Sequence, residues 1–310
     1  MVKIKSIKFS IIIPAYNAAK FIERALDSVQ KQSYHNYEVL IINDGSIDDT
    51  EQIIRQYVDK YPKFSINLFS QENKGAGGAR NKGIGNANGD YIAFLDADDC
   101  WYLEKLEKIC NFLIAHPDID VLYHNEIEIR SDGKRRLLNY TKVNKHAYED
   151  LLFSGNKLST SATVVRREMA QSIRGFSENL DFNSAEDYDF WLRLAKAGAK
   201  FSHLPEFLGE YHRVNGSLTS NIEYNNRNYL NITKYHMELL DKEGKYSSDF
   251  LQKIYYRRKA MVLFVAGREF YLNGSFVDAI QYYLKTLKHR PFWWKPYAGL
   301  LQTFLRKFCI

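Results

Sequence analysis

The sequence predicts an α/β protein in which a mixed, mostly parallel sheet flanked by helices is followed by a helical appendage. In the first hundred residues, short β-branched runs alternate with amphipathic helical stretches, which is the pattern of βαβ units and a parallel sheet. From Asn225 onward the composition becomes helical, aromatic and basic. We therefore expect two parts, 1–225 and 226–310, of which the first carries the sheet.

The first elements of this sheet follow one another at short intervals. The run Phe9–Ile13 is typical of a buried parallel strand, and we expect Pro14 to end it. The stretch Ala19–Gln32 repeats apolar residues at helical spacing and predicts the first helix. The next predicted elements are a strand at Tyr37–Ile42, a helix at Thr50–Tyr61, a strand at Ser65–Phe69, a helix starting near Gly78–Arg80 and a strand at Tyr91–Leu95.

Beyond Leu95 the alternation loosens. A helix is predicted at Leu103–Ala115, and the alternating stretch Val121–Arg130 predicts a strand with one solvated face. Asp132 and Gly133 are a hairpin-turn pair. The last predicted elements of the first part are a short strand at Thr163–Val165 and an amphipathic helix at Asp187–Ala197 that ends at Gly198.

Length and composition agree with one large domain and an appendage. The 310 residues are 45% hydrophobic, which is ample for a core. Three cysteines without CxxC spacing indicate reduced thiols in a cytoplasmic protein and no zinc site. The apolar run Phe9–Ile13 is too short for a signal peptide, and no window approaches the ~18 apolar residues of a membrane span.

The net charge of +6 is distributed unevenly along the chain. Residues 253–310 carry eleven Lys or Arg and two acids, a balance of +9, which leaves a balance of −3 for residues 1–252. An acidic body with a basic tail predicts two parts with different partners. We expect no nucleic acid among those partners.

Three carboxylates, Asp96, Asp98 and Asp99, follow the strand Tyr91–Leu95 within four residues. A buried strand that ends in like charges is unfavourable unless a cation binds there. Oxygen-only ligands suit Mg²⁺ or Mn²⁺, and such a cation is usually completed by substrate phosphates and water. The alternative is a solvated acidic turn.

Two other predicted strands also end in polar residues, Pro14–Asn17 and Asn43–Ser46. Ligands of open α/β sheets bind outside the carboxyl ends of the strands. Parallel topology would therefore bring Asp44 close to the acidic cluster, with a base or ribose contact beside the metal. The alternative is that Asp44 is only the turn residue of an Asp-Gly pair.

A glycine-rich stretch, Gly75–Gly83, predicts a loop before a helix. Backbone N–H groups at such a helix start bind anions, and Arg80 and Lys82 add positive charge. The stretch is not a dinucleotide GxGxxG motif, because Arg80 replaces the third glycine, and it is not a Walker loop, because no GKS or GKT follows.

Three acids, Glu186, Asp187 and Asp189, mark the start of the last predicted helix of the first part. A helix N-terminus stabilises ionised carboxylates, which accounts for one or two of them without any function. The functional hypothesis is that one acid is a general base, kept ionised by the helix and held in place by apolar anchors such as Tyr188 and Trp191.

Three stretches of the chain carry a family resemblance. In order they are SIIIPAYNAAKFIERALDSVQKQSYHNYEVLIINDGSIDDT, ENKGAGGARNKGIGNANGDYIAFLDADD and AEDYDFWLRLAKAG. Over roughly residues 8–220 they resemble the family 2 glycosyltransferases of GT-A fold, of the type that builds bacterial surface glycans. The resemblance implies an inverting hexosyl- or N-acetylhexosaminyltransferase that uses a nucleotide sugar, usually UDP-linked, and Mn²⁺ or Mg²⁺. The acceptor would be a saccharide or a lipid-linked saccharide.

The resemblance also implies roles for individual residues. Asp98 would bind the metal, and Asp187 would be the catalytic base. Glu186 would position the acceptor or support the base. The residues implied at the donor are Pro14, Tyr16 and Asp44 at the uridine base, Asn73 and Arg80 at the nucleotide, Asp96 at the ribose and Asp99 near the donor sugar.

The chain departs from the family pattern at two positions. Asn43 stands where many members carry a second aspartate, which leaves Asp44 as the expected contact of the base. Asn215 stands where some members offer a histidine to the metal, and the nearby His212 is not at that position.

The tail, 226–310, is predicted to be a second, helical module. Its spacing of small and apolar residues resembles one tetratricopeptide repeat, carried by Leu263, Gly267, Phe270, Gly274, Phe276, Ala279, Tyr283 and Pro291. About three repeats are needed for a stable array, so we expect this one to pack on the catalytic part.

The end of the tail combines aromatic and basic residues, namely Phe292, Trp293, Trp294, Tyr297, Arg306 and Lys307. This combination is typical of a helix at a membrane surface, which would make the protein peripheral on the inner face of the cell membrane. The alternative is the aromatic core of a helical hairpin with solvated basic residues.

The leading hypothesis is therefore a glycosyltransferase of surface-glycan synthesis. One alternative is a nucleotidyltransferase or dinucleotide-dependent enzyme on a similar sheet. The dinucleotide version is disfavoured by the acidic strand end at Asp96, Asp98 and Asp99 and by Arg80 in place of the third glycine. A second alternative is a non-catalytic interaction scaffold, which the intact Asp96, Asp98 and Asp187 disfavour.

Overall fold

A nine-stranded sheet organises the first part of the chain in the structure, a computed structural model that describes residues 6–214 and 221–308. Its strands are β1 (Phe9–Ala15), β2 (Tyr37–Asp44), β3 (Ile66–Gln71), β4 (Tyr91–Phe94), β5 (Cys100–Trp101), β6 (Val121–Ile129), β7 (Arg135–Leu138), β8 (Thr163–Arg166) and β9 (Phe201–His212). The strand order is β3-β2-β1-β4-β8-β6-β9-β5, with β7 paired to β6. Strands β3, β2, β1 and β4 are parallel neighbours, whereas β8 is antiparallel to both β4 and β6. The expected α/β fold with a mixed sheet is confirmed.

The helices of the first part are α1 (Ile22–Gln30), α2 (Thr50–Lys60), α3 (Gly75–Asn86), α4 (Lys105–Ala115), α5 (Ala147–Ser154), α6 (Arg167–Ser172) and α7 (Glu186–Lys196). A single 3-10 turn, Leu180–Phe182, precedes α7. The core lies between the sheet and the helices because β1 is apolar at every position except Ser10. Phe9, Ile11 and Ile13 are fully buried in one cluster with Leu26 and Val29 of α1.

Pro14 does not end β1, contrary to the expectation from sequence. The strand continues to Ala15, and Pro14 stays in register with Ile42 of β2. On the other side, β4 pairs with β1 only as far as Ile12. Pro14 therefore has one neighbouring strand, and at such an edge-like position the missing N–H is tolerated.

The glycine-rich stretch is not a loop before a helix, because α3 begins at Gly75 itself. The glycines form part of the helix, and Gly83 shows why the helix needs them. A Cβ at Gly83 would lie 2.5 Å from Cγ2 of Ile12 on β1, so the helix can approach the strand this closely only with glycine there. The same helix carries Arg80.

Strand β9 has no counterpart among the sequence predictions. It contains Pro205 and Gly209, which weaken a strand pattern, and its parallel pairing with β6 shifts register on both sides of Asn125. The hairpin turn at Asp132 and Gly133 is confirmed, since β6 and β7 pair across it and Gly133 has a φ of +77°.

The helical part consists of α8 (Ile222–Lys242), α9 (Ser248–Leu272), α10 (Phe276–His289) and α11 (Trp294–Phe308). Helices α9 and α10 follow each other along the chain and pack together, and their likeness to a single repeat remains a prediction. Tyr283 of α10 packs so closely that a Cβ at Gly267 of α9 would lie 2.8 Å from its ring, and one at Gly299 of α11 would lie 2.6 Å from it. Among the described helices, none is both long and apolar enough to cross a membrane.

The chain forms two compact units. The described residues of the first are 6–151, 156–179 and 186–214. The second, which we call the helical unit, contains 221–308 together with Leu152–Gly155 and Leu180–Ala185. The division predicted at 225/226 remains a prediction, and it did not include these two short segments.

Candidate active site

Asp44 is the last residue of β2 and lies almost completely buried at the carboxyl edge of the sheet, with 1% of its surface exposed. Its Oδ1 accepts hydrogen bonds from Nε2 of Gln71 at 2.7 Å and from the backbone N–H of Lys74 at 2.9 Å. Its Oδ2 is buried without a hydrogen-bond partner. A buried carboxylate oxygen without a partner is costly, so the site favours a ligand that donates a hydrogen bond there.

The other residues predicted at this edge lie at the end of β1 and beside the turn that follows β2. Pro14 is the penultimate residue of β1, and Tyr16, just beyond the strand, is 51% exposed. Oδ1 of Asn73 accepts a hydrogen bond from the backbone N–H of Gly75. A Cβ at Gly45 would lie 2.8 Å from the backbone nitrogen of Asn73, so this segment packs closely on the turn after β2.

Asn43 has a structural role that explains the departure from the family pattern. Its Nδ2 donates to Glu51 at 2.7 Å, and its Oδ1 accepts from the backbone N–H of Ser46 at 3.1 Å. An aspartate could accept the second bond but would repel Glu51. The amide therefore fits this turn, and Asp44 is the carboxylate at this strand end.

Arg80 joins two parts of the predicted site. Its guanidinium, 5% exposed, donates from one terminal nitrogen to Asp96 at 2.6 Å and from the other to Glu186 at 2.9 Å. The planar fork of arginine suits two carboxylates at fixed positions. The structure thus brings together Arg80, Asp96 and Glu186, which are far apart in sequence. Oε2 of Glu186 is buried without a partner.

The acidic cluster after β4 is partly buried. Burial, and then the negative charge of Asp96, raise the pKa of Asp98 to about 6. Burial, and then the charges of Asp98 and Glu126, hold the pKa of Asp99 well above its usual range. Carboxylates that resist ionisation together are stabilised by a cation. The three aspartates of the cluster offer oxygen ligands, which Mg²⁺ and Mn²⁺ prefer.

Asp99 is bound by protein groups at both oxygens. Its Oδ2 accepts from Oγ of Ser161 at 2.5 Å, and its Oδ1 accepts from the backbone N–H of His212 at 2.8 Å. The imidazole of His212 lies 3.0 Å from Glu210. His212 therefore supports Asp99 through its backbone. Asn215, the other position considered for a histidine, lies outside the described residues.

Asp187 lies in the first turn of α7. Its Oδ1 accepts from the backbone N–H of Tyr188 at 2.7 Å, and its Oδ2 accepts from Nδ2 of Asn156 at 3.2 Å. Burial, and then the charge of Glu186, raise the pKa of Asp187 to about 6. Burial thus outweighs the helix N-terminus, which the sequence had led us to expect would keep this pKa low. Near neutral pH the carboxylate is still mostly ionised and is a stronger base.

The apolar face of α7 fixes this carboxylate, as expected. Tyr188, Phe190 and Trp191 are fully buried, and Phe190 stacks on Phe176 with ring centroids 4.0 Å apart. Phe176 also lies 5.3 Å from the guanidinium of Arg80. One aromatic cluster therefore supports both the arginine and the start of α7.

Several residues at the site were not found from the sequence. Asn156 belongs to a stretch, Gly155–Leu158, whose Gly-Asn pair indicates only a turn. Lys105 is completely buried, with its Nζ 2.6 Å from the carbonyl oxygen of Ser161, and burial holds its pKa well below the usual range. No local sequence pattern identifies such residues, because their partners are distant backbone or side-chain atoms.

Comparison with known proteins decides the family. The family described as Glycosyl transferase family 2 matches residues 10–173. The amylovoran biosynthesis glycosyltransferase AmsB of Erwinia amylovora is 36% identical over 217 residues, which are 68% of this chain and 71% of the relative. The chain belongs to glycosyl transferase family 2. The putative teichuronic acid biosynthesis glycosyltransferase TuaG of Bacillus subtilis is 33% identical over 68% of this chain and 81% of its own length.

Solved structures support the same fold for this family 2 glycosyltransferase. S. aureus TarS 1–349, crystallised with UDP-GlcNAc, has a TM-score of 0.63 at 21% identity and covers 96% of this chain and 89% of its own. The mannosyltransferase PcManGT of Pyrobaculum calidifontis, with GDP-Man and Mn²⁺, has a TM-score of 0.62 at 18% identity, covering 98% and 81%. The expected GT-A fold is confirmed.

Membership in family 2 makes the chain a glycosyltransferase that takes its sugar from a nucleotide sugar. This confirms the leading hypothesis. The alternatives of a nucleotidyltransferase, a dinucleotide-dependent enzyme and a non-catalytic scaffold receive no support.

Proposed function

We propose that this family 2 glycosyltransferase transfers a hexosyl or N-acetylhexosaminyl group from a UDP-linked sugar, with a divalent cation, to a saccharide or lipid-linked saccharide of a surface polysaccharide. The observation that carries the proposal is the pair of ion contacts through which Arg80 joins Asp96 to Glu186, next to Asp187. These contacts hold the proposed donor side and the start of α7, which carries the proposed catalytic base, in one arrangement. TarS with UDP-GlcNAc and the relatives named for amylovoran and teichuronic acid support this class of substrate.

The proposed cation would be Mn²⁺ or Mg²⁺ held by Asp98. Among the residues that the structure describes, no three His, Cys, Asp or Glu side chains converge as a ready-made metal cage. A cation at Asp98 would therefore take other ligands from the donor diphosphate and from water, which is usual for Mg²⁺. Bound there, it would neutralise the charge that develops on the leaving diphosphate.

On the donor side, we propose that Asp44 binds the uracil ring of the nucleotide. Its unpartnered Oδ2 would accept a hydrogen bond from that ring. Pro14, Tyr16 and Asn73 line the same edge, and Asp96 is assigned to the ribose. Arg80 supports this side by holding Asp96, and its direct contact with the nucleotide remains a prediction, as does the position of Asp99 near the donor sugar.

On the acceptor side, Asp187 is the proposed base. It would remove the proton of the acceptor hydroxyl while that oxygen attacks C1 of the sugar from the side opposite the diphosphate. The C1–O bond to UDP breaks in the same displacement, so the configuration inverts and no covalent enzyme intermediate is needed. Oε2 of Glu186, which is buried without a partner, is available to a second hydroxyl of the acceptor.

The proposal is tested first by metal-dependent donor binding. Thermal shift with UDP, GDP and dTDP sugars, each with and without Mn²⁺, should show the largest stabilisation for a UDP sugar with Mn²⁺. Asp98→Asn should abolish the enhancement of UDP affinity by Mn²⁺ and leave the fold intact. Asp59→Asn, on the exposed face of α2, is the matched control. Unchanged metal dependence in Asp98→Asn would remove the metal assignment.

We further propose that the helical unit binds an anionic membrane surface. Trp294, Tyr297, Leu301 and Leu305 follow one another at helical spacing on α11, and each is at least half exposed. Trp293, by contrast, packs on Phe264 with ring centroids 4.7 Å apart. An exposed apolar stripe within a segment of charge +9 suits anionic lipid. The protein would then be peripheral on the inner face of the cell membrane.

Vesicle flotation tests this partner. Vesicles of anionic lipid should bind the protein at low salt and release it at high salt, because each basic residue near the surface contributes only ~1 kcal/mol of screened attraction. Leu301→Glu should weaken binding, whereas Leu137→Glu, an exposed position on β7, should not. Absence of vesicle binding would contradict the membrane proposal and leave the stripe exposed to solvent. A concentration-dependent dimer that Leu301→Glu abolishes would show instead that the stripe binds a second copy of the chain.

A further inference from the structure

Two short segments of the helical unit lead directly into the proposed base site. Leu152–Gly155 is followed along the chain by Asn156, and Leu180–Ala185 is followed by Glu186 and Asp187. Asn156 is the residue whose amide reaches Oδ2 of Asp187. The conformation of each segment therefore determines where the chain enters the base site.

Arg258 of α9 holds the first segment. Its buried guanidinium, 5% exposed, donates to the carbonyl oxygen of Ser154 at 2.5 Å and to the hydroxyl of Tyr229 at 2.8 Å. Ser154 is the last residue of α5, and carbonyl groups at a helix C-terminus commonly accept hydrogen bonds from groups outside the helix. A cation is favourable at a helix C-terminus. Arg258 thus fixes the end of α5 one residue before Gly155.

Gly155 is adapted to this arginine. Its φ of +106° is accessible to glycine and rarely to other residues. A Cβ at this position would lie 2.2 Å from a terminal nitrogen of Arg258. The direction in which the chain leaves α5 towards Asn156 therefore depends on the arginine and the glycine together.

Asn228 of α8 holds the second segment. Its side chain is completely buried, and its Nδ2 donates to the carbonyl oxygen of Asn183 at 2.6 Å. The ring of Phe182 lies 5.6 Å from that of Tyr235, also on α8. The segment is thereby fixed three residues before Glu186.

We propose that Arg258 and Asn228 are positioning residues for the catalytic base: Arg258 sets the backbone from which Asn156 binds Asp187, and Asn228 sets the backbone that enters α7. The inference rests on the proposed role of Asp187. Residues of the helical unit would then contribute to catalysis by positioning backbone atoms, a role that no sequence motif indicates.

The test compares Arg258→Lys with Arg257→Lys, its exposed neighbour on α9. Release of UDP from the UDP sugar selected by thermal shift is measured against pH, and UDP affinity with Mn²⁺ is measured separately. Arg258→Lys should lower kcat about tenfold, part of the ~10²–10⁴ that a positioned base contributes, and leave KM for the donor and UDP affinity unchanged. Arg257→Lys should match the wild type.

The acid limb of the kcat profile is the readout that a merely structural role would not move. Asp187 faces the charges of Glu186, Arg80 and Asp96 and the amide of Asn156. Only the amide is displaced in Arg258→Lys, and losing a donor to the ionised carboxylate moves the limb to higher pH. An unmoved limb, or equal losses of kcat and UDP affinity, would overturn the inference.

A double variant tests whether Arg258 acts on Asp187 through Asn156. If Arg258 acts through Asn156, then Arg258→Lys adds little to Asn156→Ala, and additive losses would overturn the proposal. Should Arg258→Lys fail to fold, Gly155→Ala, which directs a methyl group at the guanidinium, replaces it in the same comparison. Full activity in Asp187→Asn would instead refute the proposed function, so the two failures are distinguishable.

Discussion

Asp44 at the donor edge and Asp187 at the start of α7 are both carboxylates at ends of secondary structure, but the protein treats them differently. Asp187 has both oxygens bonded, to Tyr188 and Asn156. Asp44 has one oxygen bonded twice and the other buried without a partner. The difference indicates that a group that recognises a ligand keeps a bonding position open, whereas a group that takes a proton is oriented in advance and uses its remaining lone pairs.

The sharpest test of this contrast is Asp187→Asn. The variant cannot accept a proton but nearly keeps the shape and the bond from the Tyr188 N–H, so transfer should fall ~10²–10⁴-fold while UDP affinity stays unchanged. Initial rates and UDP titration measure the two. Glu186→Gln should cost less. Near-normal transfer in Asp187→Asn together with an inactive Glu186→Gln would move the base by one residue.

The pH dependence of the wild type and of Asp187→Asn tests whether the ionised carboxylate of Asp187 is the catalytic base. Because the pKa of Asp187 is raised to about 6, the base is ionised above that pH, and the wild-type rate should fall about twofold between pH 7 and 6. Saturating Mn²⁺ keeps Asp98 ionised, so this limb reports Asp187. A carboxyl with a raised pKa also destabilises the fold above that pKa. Asp187→Asn should therefore unfold at higher urea than the wild type at pH 7, and this gain should shrink as pH falls from 6 towards 4.

Arg80, which links the two sides of the contrast, should be the largest single contributor to stability among the site residues. Arg80→Ala leaves Asp96 and Glu186 without their partner, and breaking a buried ion pair typically costs about 3–5 kcal/mol. Urea unfolding with Arg55→Ala as control measures this, since the Arg55–Glu51 pair is similarly short but exposed and should contribute below about 1 kcal/mol. Equal effects of the two variants would contradict the bridging role of Arg80.

The smallest effect is expected at Asp44. Asp44→Asn can keep the two bonds made through Oδ1 but replaces the open acceptor, Oδ2, by a donor. UDP affinity should fall about tenfold, the value of one hydrogen bond to a charged group, with little change in kcat. Calorimetric titration with UDP and Mn²⁺ measures it. A loss of kcat without a loss of affinity would reverse the roles given to Asp44 and Asp187.

The parallel half of the sheet and the positions of most site residues could be predicted from the sequence. Strands β1 and β2 contain the apolar runs 11–13 and 39–42, and topology alone places Asp44 and Asp96 at one edge. The glycine stretch was misjudged because glycine usually marks loops, whereas in α3 it allows close approach to β1. That requirement comes from a tertiary contact, which local propensity does not contain.

The contacts of the site residues were beyond prediction for a related reason. Arg80 was expected on the nucleotide, but which carboxylates it binds depends on the packing of α3 and α7. Asn156 donates to Asp187 through its amide, and Arg258 donates to the backbone oxygen of Ser154; neither contact leaves a pattern in the sequence. The upward pKa of Asp187 likewise follows from burial, which overrides the helix N-terminus that the sequence does display.

The order of strands also has a consequence for synthesis on the ribosome. Strands β1 to β4 can pair as soon as the first hundred residues have emerged, but the partner of β5 among the described strands is β9. At ~5–20 residues per second, β9 appears on the order of 5–20 s after β5. Asp99, next to β5, receives its bond from the His212 N–H only then. During translation the acidic cluster is therefore incomplete for seconds: Asp96 can already bind Arg80, but Asp99 gains its full set of bonds only when β9 is added.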